Sequence, residues 1–534
     1  MVRDLSEREK MFERPKQFVW GEILRRNASM YPNRVAQVYE DKRQTYRELN
    51  SRVNRLSNGL ISLGFKKGDA ASILLYNCSE FMEAAFAIFK AGGCHTPINY
   101  RAVGQEIEYL VNHNDVSLLF IGSALLGSIK NVQHNFKNVR NIIVIGDDVP
   151  KGMIGFEELF KLGTENEPEV DVWEGDPCIL MATSGTTGRQ KTAIHTHRTI
   201  VGIYAGQVPM YHNHRDGDRG LVCLPLYSAG GLGFDAGSTM LRAGSLYIIP
   251  FIPFNPELVL QTIDKEKINH TTMAPVMLNA ILALPKEVRS KYDVSSLYCL
   301  CSAGAPTEPA TREKAVKYFG EILYVNYAAA ELGLVTVLNP QGILKYPTSS
   351  GQPAIPMEVK IIDDKGNDLP PGEIGEIAIA SELSCLGYNK DPEATKELFR
   401  GKFVCLGDMG YIDNEGYLYV VDRKKDMIIS GGANIYSAEV EFVLRENPKI
   451  AAVAVIGVPD EKWGEAVKAF IILRPNQEAT EEEIINWSRD KIAGYKIPKS
   501  VDFVSELPMT ATGKVRKNIL REKYWDGYSR KVKG

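Results

Sequence analysis

No CxxC pair occurs among the eight cysteines, and Cys299 and Cys301 stand too close for zinc-type spacing, with no histidine cluster beside them. That excludes a zinc ribbon and a disulfide scaffold, and it favours reduced thiols in a cytosol. No apolar run is long enough to span a bilayer as a helix. Residues Met1 to Lys16 are dense in charge and lack the apolar centre of a secretory signal, so a cytoplasmic location is expected. Charge of one sign is missing too. The 63 Lys and Arg nearly balance 66 Asp and Glu, a formal net charge of −3, so no global field would draw nucleic acid or an anionic membrane. Only the segment Lys517 to Lys533 is locally basic, and a solvated tail is expected there. Internal repeats and low-complexity segments are absent as well.

What is present is enough chain for more than one core: 534 residues, 44% hydrophobic and 24% charged, as in globular proteins of two or more domains. The first half alternates amphipathic helices with short apolar strands. Thr45 is placed to cap a helix in which Tyr46, Leu49, Val53, Leu56 and Leu60 recur at i+3/i+4 spacing, ended by Gly64. A strand over Ala70 to Leu75 follows, then a helix from Ser79 stopped by Gly92-Gly93. A helix near Gln105 to Asn112 and a strand at Ser117 to Ile121 repeat the pattern. Such alternation predicts parallel sheets covered by helices. Further on, Gly351-Gln352-Pro353, Asp363-Asp364-Lys365-Gly366 and Pro370-Pro371-Gly372 punctuate short strands such as Glu376 to Ala380. That texture predicts a small antiparallel, turn-rich subdomain. Beyond the charged run Asp422 to Asp426, a strand at Ala451 to Val458 and a helix over Glu481 to Ala493 are expected.

The run Thr183-Ser184-Gly185-Thr186-Thr187-Gly188-Arg189-Gln190-Lys191 follows the apolar segment Cys178 to Met181. Glycines let the backbone turn its N–H groups toward a ligand. With the hydroxyls they can surround phosphate oxygens, and Lys191 adds a cation. A Walker A loop is excluded, since it needs Gly before its Lys and this chain has Gln190 there.

This loop resembles the nucleotide signature of the acyl-adenylate-forming superfamily, acyl-CoA synthetase branch. The resemblance recurs in the family's order at Asn326-Tyr327-Ala328-Ala329-Ala330-Glu331, Gly407-Asp408, Asp422-Arg423-Lys424-Lys425-Asp426 and Thr512-Gly513-Lys514. It implies an α/β fold with a large N-terminal domain of helix-covered sheets plus a β-rich subdomain, residues 1–423, and a small mobile α+β lid, residues 424–534. It also implies the reaction. An acid, ATP and coenzyme A give acyl-CoA, AMP and diphosphate through an acyl-adenylate.

The barrier to the first step is electrostatic, because an anion must attack a polyanion, so the site needs cations and donors aimed at the α-phosphate. By the resemblance, Lys514 would bridge carboxylate and α-phosphate. Lys191 and the loop residues Thr183, Ser184, Gly185, Thr186, Thr187 and Gly188 would cradle the phosphates. Glu331 and Thr183 would hold Mg2+, a hard cation that favours oxygen. Tyr327, between Asn326 and Ala328, would pack against adenine, whose other edge would meet backbone of Gly304-Ala305-Pro306. Asp408 and Arg423 would hold the ribose hydroxyls and nearby phosphate. Lys425 falls at the hinge about which the lid would turn between half-reactions.

For coenzyme A, Arg101 would meet a phosphate, Gly431 and Gly432 would leave room for the thiol arm, and Trp463 would stack on adenine. By family analogy, Ser228, Ala229, Ala303, Ala328, Gly333 and Leu334 would line a small, mostly apolar acyl pocket. A medium-chain, cyclic or aromatic acid is expected there. The other partners are ATP and coenzyme A, with no nucleic acid and no integral membrane segment, and a homodimer is left open.

Several positions depart from the family. Ala330 stands where a threonine is usual, Gln190 and Thr192 replace Pro and Gly around Lys191, Leu406 replaces a hydroxyl residue, and Ser228 replaces a histidine common in acyl-CoA synthetases. Loading a separate acyl carrier protein, or binding nucleotide with weakened catalysis, are the alternative readings. Gly231-Leu232-Gly233-Phe234-Asp235-Ala236 fits a loose GxGxxA dinucleotide pattern, but the adenylate motifs already account for this region. His195/His197 and His212/His214 lack completing ligands and are expected to be packing or loop residues. One outcome follows from the motif Thr512-Gly513-Lys514. Lys514→Ala should cripple adenylate formation while thioester formation from pre-made acyl-adenylate survives, as single-turnover assays of each half-reaction would show.

Overall fold

The computed structural model describes residues 18–183, 190–207, 217–250, 253–489, 491–509 and 515–525. Two large sheets dominate. In the nine-stranded sheet, strands Leu323–Ala329, Cys299–Ser302, His270–Met273, Arg219–Val222, Ser245–Ile248 and Val35–Tyr39 run parallel in that spatial order. In the seven-stranded sheet, Ile154–Gly155, Asn141–Ile145, Val116–Gly122, Ala70–Leu74, Cys94–Pro97 and Pro177–Thr183 are likewise parallel.

At the edges the expected parallel pairing gives way to antiparallel strands. Gly333–Leu338 and Lys42–Thr45 join antiparallel to the strands that short turns connect them to, and Lys191–Thr196 pairs antiparallel with Pro177–Thr183. Short connections permit only antiparallel pairing, because a parallel return needs a crossover.

Thr45 caps the helix Tyr46–Ser62 as its spacing predicted. Its Oγ1 accepts from the Glu48 amide at 3.3 Å and its own amide donates to the Glu48 carboxylate at 2.8 Å. Tyr46, Leu49, Val53, Leu56 and Leu60 are fully buried, in a cluster that also takes Ala36 and Val222 from one large sheet and Ile73 and Phe120 from the other. Helices thus fill the space between the sheets and cover both. The GxGxxA stretch lies in a π-helix, Gly230–Gly237, not a strand–turn–helix. A Cβ at Gly233 or Gly237 would fall 2.5 or 2.4 Å from the Tyr204 ring, so these glycines serve close packing.

A five-stranded antiparallel sheet follows: Glu358–Ile362, Gly375–Ala380, Phe403–Ile412, Phe399–Arg400 and Leu418–Arg423. The last part of the chain forms its own sheet around the long ladder of Ile450–Asp460 with Gly464–Leu473. The helix expected to reach Ala493 is shorter, Glu481–Arg489, with a 3-10 turn at Gly494–Lys496. All eight cysteines carry thiols, and seven are buried.

The basic C-terminal segment is not a solvated tail over residues 515–525. Lys517–Glu522 is a helix with Leu520 buried. Lys517 Nζ lies 2.6 Å from Glu441 Oε1 and donates to Ser437 Oγ at 2.7 Å. Arg521 pairs with Asp426, and the Trp525 indole donates to the Gly457 carbonyl at 3.0 Å. Lys517 and Arg521 thus have counter-charges, Glu441 and Asp426, from earlier in the chain. Removing one partner of a buried ion pair strands the other charge. Lys517→Ala should therefore destabilise the C-terminal unit by about 3–5 kcal/mol, read as a lower urea midpoint for that unit alone.

Candidate active site

The site forms where parallel strands end, the side of an open α/β sheet on which ligands collect. Ala303 and the turn Gly304-Ala305-Pro306 follow strand Cys299–Ser302, Pro225 to Ser228 follow Arg219–Val222, and Glu331 follows Leu323–Ala329. Strands Pro177–Thr183 and Lys191–Thr196 pair with Thr183 opposite Lys191, so both ends of the phosphate-loop motif are fixed in one ladder. Ser184 to Gly188 lie outside the described residues, as does Lys514 with Thr512 and Gly513. His212 and His214 are likewise outside them.

Glu331 is only 7% exposed. Tyr388, which the motifs did not single out, donates its hydroxyl to Glu331 Oε1 at 2.8 Å. Burial raises the Glu331 carboxyl above its ordinary range, and the Tyr388 bond opposes that rise. Two further contacts fix this turn. The Cys385 amide donates to the Glu331 carbonyl at 2.8 Å, and His195 Nε2 donates to the Ala330 carbonyl at 2.7 Å. Burial holds the His195 pKa down to about 4, so the ring is neutral near pH 7. His195 is thus a packing residue. Lys191 Nζ stands 5.1 Å from the Tyr388 ring centroid.

Asp408 is 5% exposed and sits directly across the strand ladder from Arg423. Its Oδ1 accepts from Arg423 Nε at 3.0 Å and its Oδ2 from the Tyr327 hydroxyl at 2.5 Å. The Asp408 charge raises the Arg423 guanidinium further, and burial keeps the Tyr327 phenol protonated. Three residues from separate motifs therefore meet at one carboxylate. Asn326 donates to Cys301 Sγ at 3.1 Å, tying its strand to the Gly304 turn. Lys425 is not an exposed linker lysine: burial first, then the Arg423 charge, lowers its pKa to about 8.

In the expected acyl region, Ser228 Oγ donates to the Pro225 carbonyl at 2.7 Å and accepts from the Gly231 amide at 3.1 Å, starting the π-helix. Ala229 leads directly into it. Ala328 opposes Leu334 beside a register shift in the ladder. Gly333 has φ +72° with Ile203 where a Cβ would stand, so only glycine fits. Leu334 packs with Cys301, Tyr324 and Val337, and Phe234 of the π-helix lies against that cluster. Phe234 was missed because its period-free glycine surroundings give no facing signal.

Among the expected coenzyme A residues, Arg101 lies over the Tyr100 ring at 5.8 Å, and Tyr100 packs edge-on to Tyr227 at 5.4 Å. Arg101 is thereby placed beside the Ser228 segment. The Gly431 amide donates to the Trp463 carbonyl at 2.8 Å, and a Cβ on Gly431 would lie 2.8 Å from the Trp463 ring. Gly432 next to it borders open space.

The model described as AMP-binding enzyme matches residues 24–389, and that described as AMP-binding enzyme C-terminal domain matches residues 439–514. A feruloyl-CoA synthase of Amycolatopsis sp is 34% identical over 93% of this chain and 98% of its own. The long-chain-fatty-acid–CoA ligase FadD13 of Mycobacterium tuberculosis is 32% identical over 94% and 98%. Among solved structures, an anthranilate CoA ligase in complex with anthranoyl-AMP superposes with a TM-score of 0.88, at 29% identity, covering 96% of this chain and 98% of that one.

Ala330 sits in the turn that carries Glu331, half-buried, with its carbonyl already bonded to His195. A threonine there keeps that backbone bond and adds a hydroxyl donor. Ala330→Thr should raise the adenylation rate by up to about tenfold, measured as single-turnover acyl-adenylate formation. A rate unchanged or slower would show that water or a neighbouring hydroxyl already fills the role.

Proposed function

The chain belongs to the AMP-binding enzyme family, and from that premise we propose that it activates a medium-chain, cyclic or aromatic acid through Lys514, Lys191 and Glu331. It is an AMP-forming acid–thiol ligase, an acyl-CoA synthetase that passes through an acyl-adenylate and uses ATP and coenzyme A. The observation that carries the site assignment is the pair of buried carboxylates: Glu331, which follows a parallel strand and is bonded to the Tyr388 ring that Lys191 faces, and Asp408, which pairs with Arg423 in the antiparallel sheet. Asp408 and Arg423 are assigned to the ribose and phosphate side, with Tyr327 held against Asp408.

Magnesium suits the residues present. Among the described residues no group of three or more His, Cys, Asp or Glu could cage a metal. A single carboxylate, Glu331, with Thr183 and the substrate's own phosphates is the mode Mg2+ favours. Bound there, the ion would draw charge from the phosphoryl oxygens. Glu331, kept partly against its ionised form by burial, would gain from a cation at its carboxylate.

The lid is assigned to residues 424–534, because Leu418–Arg423 belongs to the antiparallel sheet and Ile428–Ser430 to the next one. Lys425, between them, is the assigned hinge. Among the described residues no helix is long and apolar enough to cross a membrane. The eight thiols without a disulfide support a cytoplasmic location. The acyl pocket assigned to Ser228, Ala229, Ala303, Ala328, Gly333 and Leu334 includes in Leu334 a member of the apolar cluster that Phe234 joins, which supports a ring or a medium chain.

The test is coenzyme-A-dependent AMP formation across short, medium, branched, cyclic and aromatic acids. Medium, cyclic or aromatic acids should give the highest kcat/KM. A preference for acetate would overturn the acid assignment, and equal rates with acyl carrier protein in place of coenzyme A would overturn the acceptor. No diphosphate release with any acid would mean a nucleotide-binding protein that has lost catalysis.

A further inference from the structure

Tyr388 lies between two groups of opposite charge that the adenylation step needs apart. Its hydroxyl, at the ring's edge, donates to Glu331 Oε1 at 2.8 Å, and Lys191 Nζ stands 5.1 Å from the ring centroid. Among the described residues Lys191 and Glu331 form no ion pair with each other. In a buried site, a lysine and a glutamate free to move would be drawn together. Each would then be less available to a ligand. An aromatic ring with a hydroxyl can hold both without letting them touch, through its face for the cation and its edge for the carboxylate.

The backbone around Tyr388 is fixed from several sides. The Leu386 amide donates to the Ile194 carbonyl at 2.8 Å, Ile194 donates back to Gly387 at 2.9 Å, and Asn389 donates to Thr192 at 2.8 Å. These bonds stitch residues 386–389 to the strand that begins at Lys191. On the other side, the Tyr388 amide donates to Thr395 Oγ1 at 2.9 Å, and His113 Nε2 donates to the Asn389 carbonyl at 2.9 Å. Cys385 holds the Glu331 backbone. Strand, turn and ring therefore form one unit, and the ring's place between the two charges is set by main-chain geometry.

We propose that Tyr388 is a positioning residue for adenylation, a spacer that presents Glu331 to the metal and Lys191 to the phosphates while preventing their collapse into an ion pair. This rests on the reading of Glu331 and Lys191 given above.

Two variants and one control test it. Tyr388→Phe keeps the ring and removes the donor. It should slow acyl-adenylate formation by about tenfold or more, with KM for the acid and thioester formation from pre-made adenylate unchanged. Mn2+ binding in the presence of a non-hydrolysable ATP analogue, read by electron paramagnetic resonance, should weaken by a similar factor. Tyr388→Leu removes the spacer altogether and should also weaken nucleotide affinity in calorimetry. Wild-type Mn2+ affinity and adenylation in Tyr388→Phe would overturn the proposal. So would an equal fall in both half-reactions with a lower melting temperature, which would make Tyr388 purely structural. Glu331→Gln separates the premises. If it leaves Mn2+ binding intact, the metal reading fails; if it abolishes binding while Tyr388→Phe does not, only the spacer fails.

Discussion

A carboxylate removed from water needs donors in its place, and the proposed adenylation site is organised around two that find them on tyrosines. Tyr388 serves Glu331 and Tyr327 serves Asp408. Burial raises both phenols, so each stays a donor throughout the neutral range. A neutral donor has a consequence that a lysine would not have. It satisfies the oxygen without cancelling the charge, which supports the assignment of Glu331 to a cation. Asp408 has in addition Arg423, which makes that side of the site closer to neutral and suited to hydroxyl groups.

The scaffold puts these groups together by strand order rather than by proximity in the chain. Parallel strands deliver Ala303, Ser228 and Glu331 at the same edge, and the antiparallel return Lys191–Thr196 brings the lysine to it. The π-helix Gly230–Gly237, just after Ser228, lies over this edge, and a wide helical turn here places Phe234 against the Leu334 cluster. Such single π segments are frequent at functional sites. The proposed site residues thus sit largely on loops and turns, while the sheets supply rigidity.

Much of this could be read in the chain. The capped helix at Thr45, the strand–helix alternation and the turn-rich sheet are local patterns, so propensity and periodicity suffice. The motif residues Tyr327, Asp408 and Arg423 were legible as a set, and the structure joins them at one carboxylate. Tyr388 was not legible. Its partners lie on a strand and a turn far off in sequence, and an aromatic after a glycine reads as a packing residue. The basic segment from Lys517 misled for a related reason: a run of positive charge looks solvated until Glu441 and Asp426, from earlier in the chain, are found beside it. Sheet edges were not legible because alternation reports that strands and helices take turns, not the direction in which the last strand returns.

The cysteines bear on a different hazard. An acyl-adenylate is an electrophile that any thiolate can intercept, and an enzyme that makes one next to its own thiols risks acylating itself. Here burial raises the thiols of Cys78, Cys94, Cys178, Cys299 and Cys405, and brings those of Cys223 and Cys385 to about 12. Cys385 is the telling case, because its amide holds the Glu331 turn itself. Its sulfur stays protonated and is therefore a poor nucleophile. In the proposed reaction, selectivity for the incoming thiol would begin with the suppression of such resident ones.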